Sequence, residues 1–153
     1  MQKYVITDKE FIIQDPELNL CIHSPLGQRY EEIDSYGRLI GLCFYDSYKR
    51  LHGPSFYYGL DGQLVSSTWF LEGREWGRSY RYYMDGSVYA ETVFINGFKE
   101  GAECYFYASG QLKTKMIYMK GVLHGVVELF WPDGTQKREI HYQTGTKISD
   151  SVI

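Results

Sequence analysis

Three glycine columns repeat along this chain with a single period. Gly53, Gly77, Gly101 and Gly125 are 24 residues apart; so are Gly62, Gly86, Gly110 and Gly134, and so are Gly73, Gly97, Gly121 and Gly145. A fixed period of this length means one supersecondary unit copied in tandem, each copy burying its apolar surface against its neighbours. Other columns keep step. Tyr58, Tyr82, Phe106 and Phe130 are always aromatic, as are Phe70, Phe94, Tyr118 and Tyr142, and Asp61, Asp85, Ser109 and Asp133 precede the middle glycine. Tyr36-Gly37-Arg38-Leu39 matches Asp61-Gly62-Gln63-Leu64 one residue out of step. A degenerate copy at 29–49 therefore precedes four full ones, and the repeats occupy 29–145.

The unit reads as a hairpin. Ser79 to Tyr83 is rich in strand formers, Asp85-Gly86 supplies a turn with glycine at positive φ, Val88 to Ile95 is a second strand, and Asn96-Gly97 is a second turn. No helical stripe survives the glycine spacing. The predicted fold is all-β: an elongated, single-layer antiparallel β-meander of tandem 24-residue hairpin repeats. A three-residue Asp-Gly loop would pair Tyr83 with Ser87 and Tyr82 with Val88. Strict alternation then puts Tyr80, Tyr82, Val88, Ala90, Thr92 and Phe94 on one face, and Arg81, Tyr83, Tyr89, Glu91, Val93 and Ile95 on the other. Residues 1–28 match nothing in the repeat. With strand-like stretches at 3–7 and 10–14, they read as an N-terminal β-cap; 146–153 reads as an edge strand or a tail.

The glycine columns, the Leu51-His52-Gly53 and Leu123-His124-Gly125 strings, and the aromatic-x-x-Asp-Gly turns resemble MORN repeats. The second strand lacks an extra glycine (Tyr89-Ala90-Glu91, Lys113-Thr114-Lys115), so the similarity is closer to the bacterial variant of that repeat. The resemblance implies a scaffold or interaction module, with contact to membranes as a recurrent suggestion for such proteins.

Net charge is −3, and no basic footprint points to nucleic acid. Cys21, Cys43 and Cys104 form no Cys-x-x-Cys pair, so three free thiols in a reducing compartment are expected. Without an apolar leader or a membrane-length apolar run, the expected location is the cytoplasm, with export by a signal-less route left open.

Catalytic and metal chemistry finds little footing. His52 and His124 share a column three repeats apart, roughly 29 Å at two strands per repeat, too far for one ion. His141 stands where other copies carry Trp69, Val93 and Ile117, and Cys21-x-His23 alone is a weak ligand pair. Asp61, Asp85 and Asp133 fit turn capping. No nucleophile elbow or phosphate loop occurs. The expectation is a non-enzyme with no cofactor and no metal.

That leaves surfaces. Tyr57, Arg81, Tyr83, Tyr105, Tyr107 and Trp131 form an aromatic set suited to a protein partner or a second copy, with an exposed sheet edge as the other route. Replacing Tyr83 and Tyr107 by Ala is expected to weaken binding without moving the thermal midpoint. The alternative is a peripheral module holding anionic lipid through Lys113, Lys115, Lys120, Lys137 and Arg138.

Overall fold

The computed structural model describes residues 1–153. The chain is all-β apart from one 3-10 turn at Pro16–Leu18, and it divides into two units, Met1–Gly77 and Arg78–Ile153.

In the first unit, β1 (Lys3–Ile6), β2 (Glu10–Asp15) and β3 (Leu20–Pro25) form a three-stranded antiparallel sheet. A meander follows: β4 (Gln28–Ile33), β5 (Leu39–Tyr45), β6 (Gly53–Tyr58) and β7 (Leu64–Leu71), with β8 (Arg74–Glu75) folded back on β7. Alternation along β2 turns Phe11, Ile13 and Asp15 inward, all fully buried. Phe11 and Ile13 meet Trp69 of β7, with Tyr4, Leu20, Ile22, Leu26, Phe56, Leu71 and Trp76 packed around them. Residues 3–25 thus lie on a face of the repeat sheet. Asp15 is carried into this core with the Tyr4 hydroxyl donating to it at 2.8 Å.

β5 is bracketed by two copies of one turn, Asp34-Ser-Tyr-Gly-Arg38 and Asp46-Ser-Tyr-Lys-Arg50. In each, the aspartate accepts two backbone N–H groups and pairs with the arginine, whose guanidinium lies 5.0 Å from the tyrosine ring centre. The second copy replaces the short turn used by later repeats and absorbs the one-residue offset of the degenerate copy.

The second unit is built from β9 (Gly77–Tyr82), β10 (Val88–Ile95), β11 (Phe98–Lys99), β12 (Gly101–Phe106), β13 (Leu112–Met119), β14 (Val122–Leu123), β15 (Gly125–Phe130), β16 (Gln136–Gln143) and β17 (Thr146–Val152). The sheet order is β9-β10-β12-β13-β15-β16-β17. β17 is tied to β16 by Arg138 on Asp150; with Lys147 of β17 itself on the same carboxylate, the two cations draw its pKa down to about 2.

Two turns define each hairpin. In the Asp-Gly loop the Tyr83 N–H reaches the Ser87 carbonyl at 2.9 Å and the Gly86 N–H reaches the Tyr83 carbonyl at 3.0 Å, with Gly86 at φ +89°. This is the three-residue loop expected. The Ser87 hydroxyl and N–H both donate to Asp85, which lowers its carboxyl below the usual range; Thr135 does the same for Asp133. The second turn places two consecutive residues at positive φ, as in Asn96 (52°)-Gly97 (84°), the mark of a type I′ hairpin. Thr144 occupies the asparagine place at φ 47°, where a β-branched side chain is strained. Thr144→Asn should therefore stabilise the fold by about 1 kcal/mol. A thermal scan checks this; an unchanged or lower midpoint would mean that the strain is relieved elsewhere.

The face assignment from strict alternation needs correction. In four of the repeat hairpins the register slips once near the loop that joins the two strands: in one, Phe106 pairs with Leu112, but Tyr105 pairs with Thr114, so Lys113 is extra. The same slip lies at Glu32/Ile33, Tyr57/Tyr58 and Leu129/Phe130. A bulge points two consecutive side chains to one side and inverts the parity beyond it. Ala90 pairs with Tyr105, and Thr92 bonds Glu103. Ala90 and Thr92 thus share the face of Arg81, Tyr89 and Tyr105, while Glu91 and Val93 lie on the opposite face.

Successive repeats are clamped at the type I′ turns. The N–H groups of Gly73, Gly121 and Gly145 donate to the carbonyls of Leu51, Lys99 and Leu123. The residue before each glycine donates its N–H to a side chain twenty positions earlier: Glu72 to His52 Nδ1 (3.0 Å), Lys120 to Glu100 Oε2 (2.8 Å) and Thr144 to His124 Nδ1 (3.1 Å). The two column histidines therefore act as turn acceptors.

A candidate interaction surface

On the Arg81 face of the second unit, three columns converge beside the Asp-Gly loops. Tyr83, Tyr107 and Trp131 open the loops, Tyr89, Lys113 and Lys137 follow six residues later, and Arg81 and Tyr105 come from the first strands of their hairpins. The bulge turns the second column toward the first. Tyr83 meets Tyr89 edge-on with ring centres 5.4 Å apart, Lys113 Nζ lies 5.5 Å from the Tyr107 ring centre, and Lys137 Nζ lies 4.4 Å from that of Trp131. The Arg81 guanidinium sits 5.4 Å from both the Tyr89 and Tyr105 rings and donates to the Tyr105 hydroxyl at 3.0 Å. The result is a row of rings, each with a cation or another ring against it.

The members play different parts. The Tyr83 hydroxyl donates to the Phe106 carbonyl at 2.6 Å, and the Tyr107 hydroxyl donates to that of Phe130 at 2.9 Å. Both tyrosines are half-buried staples to the next hairpin, so truncating them will lower stability as well as alter the surface. Arg81 and Trp131 are exposed, Trp131 at 47%. Tyr57, 52% exposed, stands in the first unit, opposite Gly41. Tyr89 was not among the expected binding residues, although its spacing from Tyr83 repeats in Lys113 from Tyr107 and Lys137 from Trp131.

The basic residues proposed for lipid are not brought together. Lys113 and Lys137 stand over the rings. Lys115 pairs with Cys104 and Glu128 on the opposite face, Lys120 is at a type I′ turn, and Arg138 is engaged by Asp150. Cys104, half-buried there, has its thiol pushed up by burial and by the Glu91 charge. His23 pairs with Glu10, and His141 with Glu139.

A model of the MORN repeat variant family matches residues 99–120 and 123–144. Residues 99–144 carry two MORN repeats of the variant type. Each matched MORN segment runs from just after one type I′ turn into the next, so the Glu100–Lys120 and His124–Thr144 clamps tie its two ends together. MORN repeats in general are protein- or membrane-interaction modules. No curated protein matches the chain. Among solved structures, a crystal structure of a GtfA/B complex bound to UDP and GlcNAc aligns with 88% of this chain and 23% of its own, at 12% identity and a TM-score of 0.28. This chain thus spans less than a quarter of that one, and a likeness so slight supports no structural argument. No helix is long and apolar enough to cross a membrane.

Proposed function

We propose that this protein is a non-enzymatic interaction module that binds a protein partner through the aromatic row of its second unit. The observation that supports this is the exposure of Trp131 and Arg81 in register with Tyr89 and Tyr105 on one sheet face. In the first unit the sheet face carrying Phe56 and Trp69 has its own three-stranded cover. An uncovered run of large rings on a regular sheet is the pattern of a partner surface. Arginine and tryptophan are the residue types that most often dominate such contacts.

Capture from the source cell with wild-type and Arg81→Ala/Trp131→Ala protein tests the reading. A stoichiometric partner lost at least tenfold in the variant, with the thermal midpoint within about 2 °C of wild type, is the expected result. A partner retained by the variant would move the contact to another surface, such as the β17 edge.

A further inference from the structure

The row has a spacing that specifies more than a generic partner. Lys113 and Lys137 hold the same position in consecutive hairpins, and Tyr89 holds it one hairpin earlier with the Arg81 guanidinium lying over its ring. Two strands at ~4.8 Å put successive positions ~10 Å apart. Lys113 and Lys137 therefore stand across the strands at about that pitch, and the Arg81 guanidinium, shared between the Tyr89 and Tyr105 rings, adds a third cation from the hairpin before them. No carboxylate lies within ion-pair distance of any of them; the neighbouring cations Lys99 and Arg138 are taken by Glu103 and Asp150. The loop carboxylates Asp85 and Asp133 are turned onto Ser87 and Thr135.

A polyproline II chain has three residues per turn and rises ~3.1 Å per residue, so every third side chain falls on one face at ~9 Å intervals. That matches the row, and rings beside the cations are the usual floor for such a chain. Resting on the interaction reading above, we infer that the ligand is an extended, proline-rich peptide with an acidic residue at every third position. It would lie across the strands with its carboxylates over Arg81, Lys113 and Lys137 and its prolines against Tyr83, Tyr107 and Trp131.

Fluorescence anisotropy with two labelled twelve-residue peptides of identical composition tests this. In one, glutamate occupies every third position among prolines; in the other, four glutamates are contiguous. The full chain should bind the spaced peptide at least tenfold more tightly than the clustered one. Lys113→Ala/Lys137→Ala should lose roughly tenfold for the spaced peptide. Equal affinity for the two peptides, or no binding of either, overturns the inference. So does binding of the full chain to vesicles containing phosphatidylserine, abolished by the same double substitution, when neither peptide binds. A captured partner that needs Trp131 while both peptides fail would leave the interaction reading standing and sink only the peptide class.

Discussion

Lys99→Leu should lower stability by about 3 kcal/mol, and adding Glu103→Val should return most of that loss. Glu103 is 2% exposed on a strand face where the other repeats carry Ser55, Ser79 and Val127. Its carboxylate is held by Thr92 Oγ1 at 2.7 Å and Lys99 Nζ at 2.9 Å, with the Tyr105 hydroxyl at 3.4 Å. Lys99 also lies over the Tyr118 ring, 4.9 Å from its centre. Removing the lysine strands a buried charge; removing both charges leaves an apolar pair. The next repeat already uses that solution, with Leu123 and Val127 at the equivalent positions. The recovery should fall short by about 1 kcal/mol, because the Thr92 hydroxyl loses its acceptor. The Lys99 side chain is 36% exposed, which keeps the single substitution at the lower end of the range for broken buried pairs.

The same pair gives an alkaline signature. Burial pulls the Lys99 ammonium down, but the hydrogen bond and charge of Glu103 outweigh it and leave its pKa above the ordinary 10.5. A raised lysine contributes its full stability below the unfolded value and loses it as pH climbs through the folded one. Wild type should therefore weaken above pH 10.5 more steeply than Lys99→Leu/Glu103→Val. Urea unfolding of the four variants of the cycle decides the matter. A single substitution below about 1 kcal/mol, or a double no better than the single, would show that the pair does not hold the hairpins together.

Phe11→Ala should be the more damaging change, at about 4 kcal/mol. Phe11 is fully buried, its ring centre 5.2 Å from that of His52 and 6.2 Å from that of Trp69. It fixes the three-stranded sheet to the repeats. Through His52 it also supports the clamp on the Glu72 turn, since that ring accepts the turn N–H at Nδ1 and meets the Ser24 hydroxyl at Nε2. Urea unfolding measures the loss. A change of less than about 1.5 kcal/mol would mean that the small sheet is not docked on Trp69.

The repeat and both of its turns were legible because glycine is the one residue that takes positive φ without strain, so backbone need is written directly as a residue column. Asp85 and Asp133 were legible as loop caps for a similar local reason. The faces were not. A bulge adds one residue without leaving a residue type behind, and every side chain beyond it changes side. Spacing likewise placed His52 and His124 in one column but gave no sign that each accepts a turn N–H twenty residues on. Tyr83 and Tyr107 read as surface because their rings lie in an aromatic column; their hydroxyl bonds to the next hairpin depend on strand packing that no single repeat displays. The docking of residues 3–25 rests on contacts between Phe11 and Trp69, far apart in the chain and outside the period.

The most direct measurement of the central claim is side-chain oxidative footprinting of the chain with and without its captured partner. The account predicts protection concentrated at Trp131, Tyr89 and Tyr105, with the opposite-face residues His141 and Cys104 unchanged. Protection confined to that opposite face or to Ile148 and Val152 on β17 would contradict it.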